Sequence, residues 1–295
     1  MSKKTATILL LVVAIVWGAG FIATQFVLDA GFSPLELLTG RFFFGAITLS
    51  IIFKKEFKIN KQELISGIVV GIILAMAFTL QTYGQLYTTP SIAAFLTAVY
   101  VVFVPFIDSI FFKTKIDVYT KIGACLTLFG IGFISLDSFS LTGNGALGIF
   151  LILLCAVAYA LHIISVDKYT SFGISPIKIS IIMLWVAFII TGICSITSYD
   201  NREIIYDINF LTGIVGMIFL GLFSTAFCFT AQNIAQKSVN PTKVSILLSL
   251  ESVFGTLWSW LIFNEKFTLK IIIGFMVIFL GILIIETKPK LKGNK

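Results

Sequence analysis

One apolar stretch after another, each near twenty residues, runs through this chain from Thr5 to Glu286. An apolar helix of about 20 residues crosses the roughly 30 Å hydrocarbon core of a bilayer. Inside lipid the backbone has no water to bond, so such a stretch is helical. The pattern therefore predicts an all-α integral membrane protein. Only 12% of the 295 residues are charged and 58% are hydrophobic, where a soluble domain carries about 25% charge. Ten transmembrane helices are predicted, at 5–28, 34–53, 64–81, 91–112, 118–136, 145–165, 176–197, 209–230, 243–263 and 269–286. Loop chemistry separates them at Gly31-Phe32-Ser33-Pro34, Thr88-Thr89-Pro90, Thr142-Gly143-Asn144-Gly145 and Asn240-Pro241. Lys3 and Lys4 precede a first apolar run too long for a signal peptide, and it reads as a retained helix.

The basic residues orient these spans. Of 21, 17 fall in loops on one side, from Lys3 and Lys4 through Lys54, Lys55, Lys113, Lys168 and Lys178 to Lys288–Lys295. Arg202, Lys266 and Lys270 fall on the other side, and Arg41 lies within the second span. Positive residues stay in the cytoplasm, so both termini are expected there. The net charge of +7 is thus a topology signal, and no nucleic-acid partner is expected. No loop exceeds about 14 residues, which leaves no room for a nucleotide-binding domain and excludes an ATP-driven pump. Cys125, Cys155, Cys194 and Cys228 form no C-x-x-C pair and read as small buried hydrophobes. Neither metal nor cofactor is expected, and no soluble-enzyme motif is present.

The two halves repeat. Gly31-Phe32-Ser33-Pro34 recurs as Gly173-Ile174-Ser175-Pro176, an offset of 142 that also sets Trp17 on Tyr159. Phe78-Thr79-Leu80-Gln81 recurs as Phe229-Thr230-Ala231-Gln232 at an offset of 151, which also aligns Val102-Phe103 with Val253-Phe254, Gly123 with Gly274 and Gly130 with Gly281. A longer loop near 198–208 accounts for the change of offset. A repeat of five helices enters the membrane from opposite sides in its two copies, and inverted repeats of this kind are typical of secondary transporters. The expected units are 1–137, 144–287 and a basic cytoplasmic tail at 288–295.

These residues also carry a resemblance. Trp17-Gly18-Ala19-Gly20-Phe21, Ser33-Pro34 with Arg41-Phe42, Ala93-Ala94-Phe95-Leu96-Thr97 with Val104-Pro105, Leu250-Glu251, Asn264-Glu265 and Gly274 to Gly281 follow one another in order. In that order the chain resembles the EamA family of the drug/metabolite transporter superfamily over nearly its whole length. It departs from that pattern at Lys113-Thr114, the first-half equivalent of Asn264-Glu265, and at Tyr159 in place of a second Trp. The resemblance implies a carrier or exporter of small metabolites in a bacterial cytoplasmic membrane, proton-linked or facilitative.

Polar residues inside spans name the candidate site. Glu251 lies near the middle of the ninth span, and its repeat partner is Tyr100. A central charge costs several kcal/mol, so Glu251 is expected to face the interior. It reads either as a proton or cation site or as a structural carboxyl. Trp17 and Tyr159 share that depth and read as cavity lining or as ordinary aromatic packing. Arg41 either snorkels to the outer surface, pairs with an acid, or binds an anion. His162 lies one turn from Tyr159 and reads as a titrating group or as an interfacial residue with a satisfied bond. Gln81 and Gln232 are repeat partners that either gate or cap helix ends, and Pro105 is expected to kink or loosen the fourth span, as a candidate gating point. The substrate set is thus Trp17, Tyr100, Tyr159, Glu251, Arg41 and His162, with Glu251 as the proton-coupling candidate.

A secondary transporter working as a monomer on a small solute such as an amino acid or an amphipathic molecule fits these features best. A lipid-modifying membrane enzyme and a passive channel are the competing readings. The spread of polar residues over depth disfavours the first, and the lack of a charge ring disfavours the second.

Overall fold

A computed structural model describes residues 1–112, 116–141, 144–198, 209–239 and 241–286. The expected features at Lys113-Thr114, Thr142-Gly143, the 198–208 loop from position 199 with Arg202, Asn240 and the 288–295 tail lie outside the described residues. Among the described residues every regular element is helical. The helices are α1 (Lys3–Asp29), α2 (Pro34–Ile52), α3 (Lys61–Leu86), α4 (Pro90–Thr97), α5 (Tyr100–Phe112), α6 (Val118–Leu141), α7 (Gly145–Ser171) and α8 (Pro176–Thr197). Then come α9 (Phe210–Phe219), a π-helical segment (Leu220–Phe227), α10 (Cys228–Gln236), α11 (Pro241–Ser249), α12 (Glu251–Phe263) and α13 (Leu269–Glu286). Among the described residues, 8 helical segments are long and apolar enough to cross a membrane, and two shorter apolar helices, Val118–Phe133 and Leu269–Ile284, accompany them.

Local chemistry starts these helices where the sequence marks them. Ser33 and Glu36 form a capping box ahead of α2, with Pro34 in the first turn. Asn60 and Glu63 do the same for α3, which is why α3 begins before the expected position 64. Gly31 (φ 92°) and Gly173 (φ 86°) turn the chain in the two Gly-x-Ser-Pro loops, a backbone region that side chains other than Gly rarely adopt.

The two ends of the bundle are tied separately. At the end where the chain starts, Lys178 Nζ sits 2.9 Å from Glu63 Oε1 and also donates to the Lys58 carbonyl, and Ser238 Oγ donates to the Met1 carbonyl. At the opposite end the Asn209 N–H meets the Ala30 carbonyl at 3.0 Å. There too Ser91 Oγ and Ser259 Oγ both donate to Glu265 Oε2.

Small residues set how closely the helices approach. A Cβ added at Gly130 on α6 would lie 2.7 Å from the Gly274 carbonyl on α13, and one at Gly281 would lie 2.7 Å from the Gly123 carbonyl. The two contacts are reciprocal and make α6 and α13 an antiparallel pair. On α1, a Cβ at Gly18 would lie 2.6 Å from Phe254 Cβ of α12. Backbones this close gain packing that larger side chains forbid.

The structure departs from expectation at two interrupted spans and two cysteines, and it decides among the alternatives for Arg41. The fourth span is interrupted at Ala98-Val99, between α4 and α5, and α5 runs on through Pro105. Pro105 lacks an N–H for the Val101 carbonyl. Val101 and Val102 already belong to a tight turn whose N–H groups reach back only three residues, to Ala98 and Val99 at 3.1 and 2.9 Å. The fourth span is thus loosened one turn ahead of Pro105. Leu250 separates α11 from α12 in the same way. Only Cys155 and Cys228 are buried; Cys125 and Cys194 are exposed on outward helix faces, where an apolar thiol suits lipid as well as core. Arg41 is 3% exposed and does not reach the surface.

Gly281→Ala should destabilise the protein by about 1–3 kcal/mol, because its methyl group meets backbone that cannot give way. Gly132→Ala, whose Cβ meets nothing within 4 Å, should leave the thermal midpoint in detergent unchanged or raise it. Thermal unfolding of the two variants beside the native protein checks the pair.

Candidate functional site

A cavity lies at the centre of the bundle, where α1, α2, α3, α5, α7, the π-helical segment and α12 converge. Its wall is Trp17, Gly20, Phe21, Thr24, Arg41, Phe78, Gln81, Tyr100, Tyr159, Ser224 and Glu251. Counted as room for water centres, its volume is about 30 Å³. One water needs roughly 10–15 Å³ on that measure, so this arrangement accommodates two or three waters and no metabolite.

The π-helical segment organises one side of the wall. Its wider register sends the Cys228 N–H to the Phe223 and Thr225 carbonyls, past Ser224. The Ser224 carbonyl is released and accepts Trp17 Nε1 at 2.8 Å. The side chains of the same two residues hold Arg41: Nε donates to Thr225 Oγ1 at 2.6 Å and Nη2 to Ser224 Oγ at 2.9 Å. Phe78 lies under the guanidinium, 4.0 Å from its carbon, a distance at which the ring face attracts a cation. No ion pair among the described residues involves Arg41.

Tyr100 and Glu251 open α5 and α12, each directly after an interruption. Both are buried and their polar ends face one another, with the Tyr100 hydroxyl and Glu251 Oε1 just outside good hydrogen-bond geometry. The Tyr100 ring lies 6.3 Å from that of Tyr159, which meets Phe78 edge-on at 5.6 Å. Gln81 Nε2 donates to Thr97 Oγ1 at 3.2 Å and so ties α3, in the wall, to the end of α4 instead of capping a helix.

Of the residues singled out in the sequence, Trp17, Arg41, Gln81, Tyr100, Tyr159 and Glu251 meet in this one cavity, and His162, Gln232 and Pro105 lie outside its wall. His162 is 0% exposed, packed edge-on against Phe229 at 5.4 Å, with neither ring nitrogen bonded. It is therefore not an interfacial residue with a satisfied bond. Gln232 donates to Gln236 Oε1 at 3.0 Å, again without capping a helix end. Gln236 donates to the Ile163 carbonyl at 2.8 Å, and Asn233 to Ser180 Oγ at 3.0 Å. Thr230 Oγ1, Gln232 Oε1 and Asn233 Oδ1 remain without partners. A second polar cluster is thus buried toward the end where the chain starts. Sequence reasoning missed Ser224 and Thr225. Their signal was a hydroxyl pair beside Gly221 in the middle of an apolar span.

Thr225→Val should keep the volume and remove the Arg41 Nε acceptor. A lost hydrogen bond to a charged group costs about 1.5–3 kcal/mol, so the thermal midpoint should fall more than in Thr212→Val, at the exposed start of α9.

The profile of the EamA-like transporter family matches residues 4–136 and 146–287. An uncharacterized transporter of Archaeoglobus fulgidus is 27% identical over 280 residues, covering 95% of this chain and 85% of that protein. The uncharacterized transporter YoaV of Bacillus subtilis is 23% identical, covering 92% of each. A protein of known crystal structure superposes with a TM-score of 0.69 at 14% identity over 96% of each chain, a likeness of fold. Matched in both halves and along almost its whole length, the chain belongs to the EamA-like transporter family.

Proposed function

We propose that this protein is a secondary transporter of small metabolites, amino acids or amphipathic solutes among them, that works by alternating access through the central cavity. Ten spans form two inverted five-helix repeats, 1–137 and 144–287, with both termini in the cytoplasm of a bacterial plasma membrane. The observation that carries this reading is a pair of equivalent bonds. Gln85 Nε2 donates to the Phe21 carbonyl at 2.9 Å, and Gln236 Nε2 donates to the Ile163 carbonyl at 2.8 Å. The glutamines are related by the offset of 151 and the carbonyls by 142. Each bond ties the third span of a half to its first span. One lies toward each end of the bundle, as an axis in the membrane plane requires. The reciprocal Gly130–Gly274 and Gly281–Gly123 contacts support the same axis.

The two environments differ in this state. Thr24 and Gln81 line the cavity, whereas Gln232, Asn233 and His162 are buried outside its wall. Alternating access exchanges these roles, wetting the second cluster as the first closes. Buried polar atoms without partners are costly, and water reaching them repays part of that cost in the other state. The solute binds among Trp17, Tyr100, Tyr159, Glu251 and Arg41, and His162, Gln81 and Gln232 line or gate the two legs of its path.

Glu251 is the coupling residue where transport is driven by protons. Its carboxyl opens α12 at the cavity and faces the Tyr100 hydroxyl, so its proton affinity follows whichever side admits water. A proton shifts a conformational equilibrium through such differential affinity. In proteoliposomes, Glu251→Gln should abolish flux driven by a pH gradient and retain solute exchange, with folding checked by thermal unfolding. Gradient-driven flux equal to that of the native protein would reduce Glu251 to a structural role.

A further inference from the structure

We propose that the cavity takes a small organic monocarboxylate, with its carboxylate on the Arg41 guanidinium and its apolar body against the aromatic wall. This deepens the transporter reading and rests on it for the passage of the bound solute, though not for the binding itself. Arg41 is 3% exposed and forms part of the cavity wall. A guanidinium carries five N–H donors in a planar fork. Two are taken, by the hydroxyls of Thr225 and Ser224, which leaves three. Both acceptors are neutral, and no ion pair among the described residues reaches Arg41. A cation buried without an anion is strongly unfavourable, and the face of Phe78 at 4.0 Å offsets only part of that. The site is built to hold the cation in place while leaving its charge uncompensated.

The geometry selects the ligand. A carboxylate accepts two parallel N–H bonds from one guanidinium. A phosphate dianion would bring a second charge, and the cavity wall contains no lysine and no second arginine to meet it. Trp17, Phe21, Phe78, Tyr100 and Tyr159 present an apolar, largely aromatic surface to the rest of the solute. Glu251 stands in the same wall, so the carboxylate enters with Glu251 protonated and neutral, and an organic amine then meets only the Arg41 charge. The cavity must widen to admit any of these, so binding favours the more open of the accessible states.

The full-length protein in nanodiscs, titrated with benzoate, phenylacetate and phenethylamine, tests this by calorimetry and thermal shift. Saturable binding of at least one carboxylate, with phenethylamine at least about 10-fold weaker, is the expected result; tenfold is the effect of a single unit of 1.4 kcal/mol. Arg41→Lys keeps the charge and loses the fork, and should weaken the carboxylate about 10-fold or more. Should Arg41→Lys fail to fold, the titrations of the native protein decide alone. The proposal is overturned if neither carboxylate saturates, if the amine binds as tightly, or if a folded Arg41→Lys protein keeps its carboxylate affinity. Flux separates this from the reading beneath it. Carboxylate binding with no transport by the native protein in proteoliposomes would keep the site and remove the transporter. Saturable transport of phenethylamine unaltered in Arg41→Lys would keep the transporter and remove the site.

Discussion

A polar group inside a bilayer has no solvent to fall back on, so its partners must come from the protein itself. Arg41 is the most demanding case in this chain. Its guanidinium lies deep in the bundle, and three elements are arranged to hold it: the hydroxyls of Ser224 and Thr225, the Phe78 ring beneath it, and Trp17 bonded to the Ser224 carbonyl. The widened helical register from Leu220 to Phe227 is what frees that carbonyl. π-helical turns inside α-helices often mark functional sites, and here one brings α1 and α2 to a common wall. Tyr100 and Glu251 complete the wall from the opposite side, at the two interruptions of α4–α5 and α11–α12.

The contrast between satisfied and unsatisfied groups separates scaffold from moving parts. Gln85 and Gln236 have bonded carbonyls in α1 and α7, and Glu265 gathers two serines at one end of the bundle. These bonds brace each half. His162, Gln232 and Asn233 keep atoms without partners in the interior, and Tyr100 and Glu251 face one another at the cavity outside good hydrogen-bond geometry. Nothing about packing alone rewards that arrangement. A protein that spends part of its time with water at these atoms accounts for it, and the proposed exchange between two open states supplies the water.

Much of this was legible in the sequence, for reasons that are local or periodic. Twenty-residue apolar runs fix helices in lipid whatever their partners are. Gly31 and Gly173 announce turns because only glycine takes their backbone angles cheaply. Repeat equivalence and common depth group Trp17, Tyr100, Tyr159 and Glu251, and the four share one cavity. The rest depends on tertiary contacts that no single helix carries. Whether Arg41 snorkels or turns inward is decided by Ser224 and Thr225, some 180 residues away. The tight turn at Ala98-Val99 has no proline or glycine to mark it, while Pro105, which stands out in the sequence, sits inside a continuous helix. His162 could be placed on the Tyr159 face, but only the packing of Phe229 shows it sealed from the cavity.

The account rests on two polar clusters that take turns meeting water from opposite sides. The most direct measurement places single cysteines at Gln81 and at Gln232, with Cys125, Cys155, Cys194 and Cys228 replaced by alanine, in vesicles of known orientation. A thiol reagent that cannot cross the membrane is applied from each side, with and without solute. The account predicts that the Gln81 cysteine reacts only from the side opposite the termini and the Gln232 cysteine only from the side of the termini. It also predicts that solute changes the two rates in opposite directions. Reaction of both positions from the same side, or no reaction at Gln232 from the side of the termini under any condition, would contradict it.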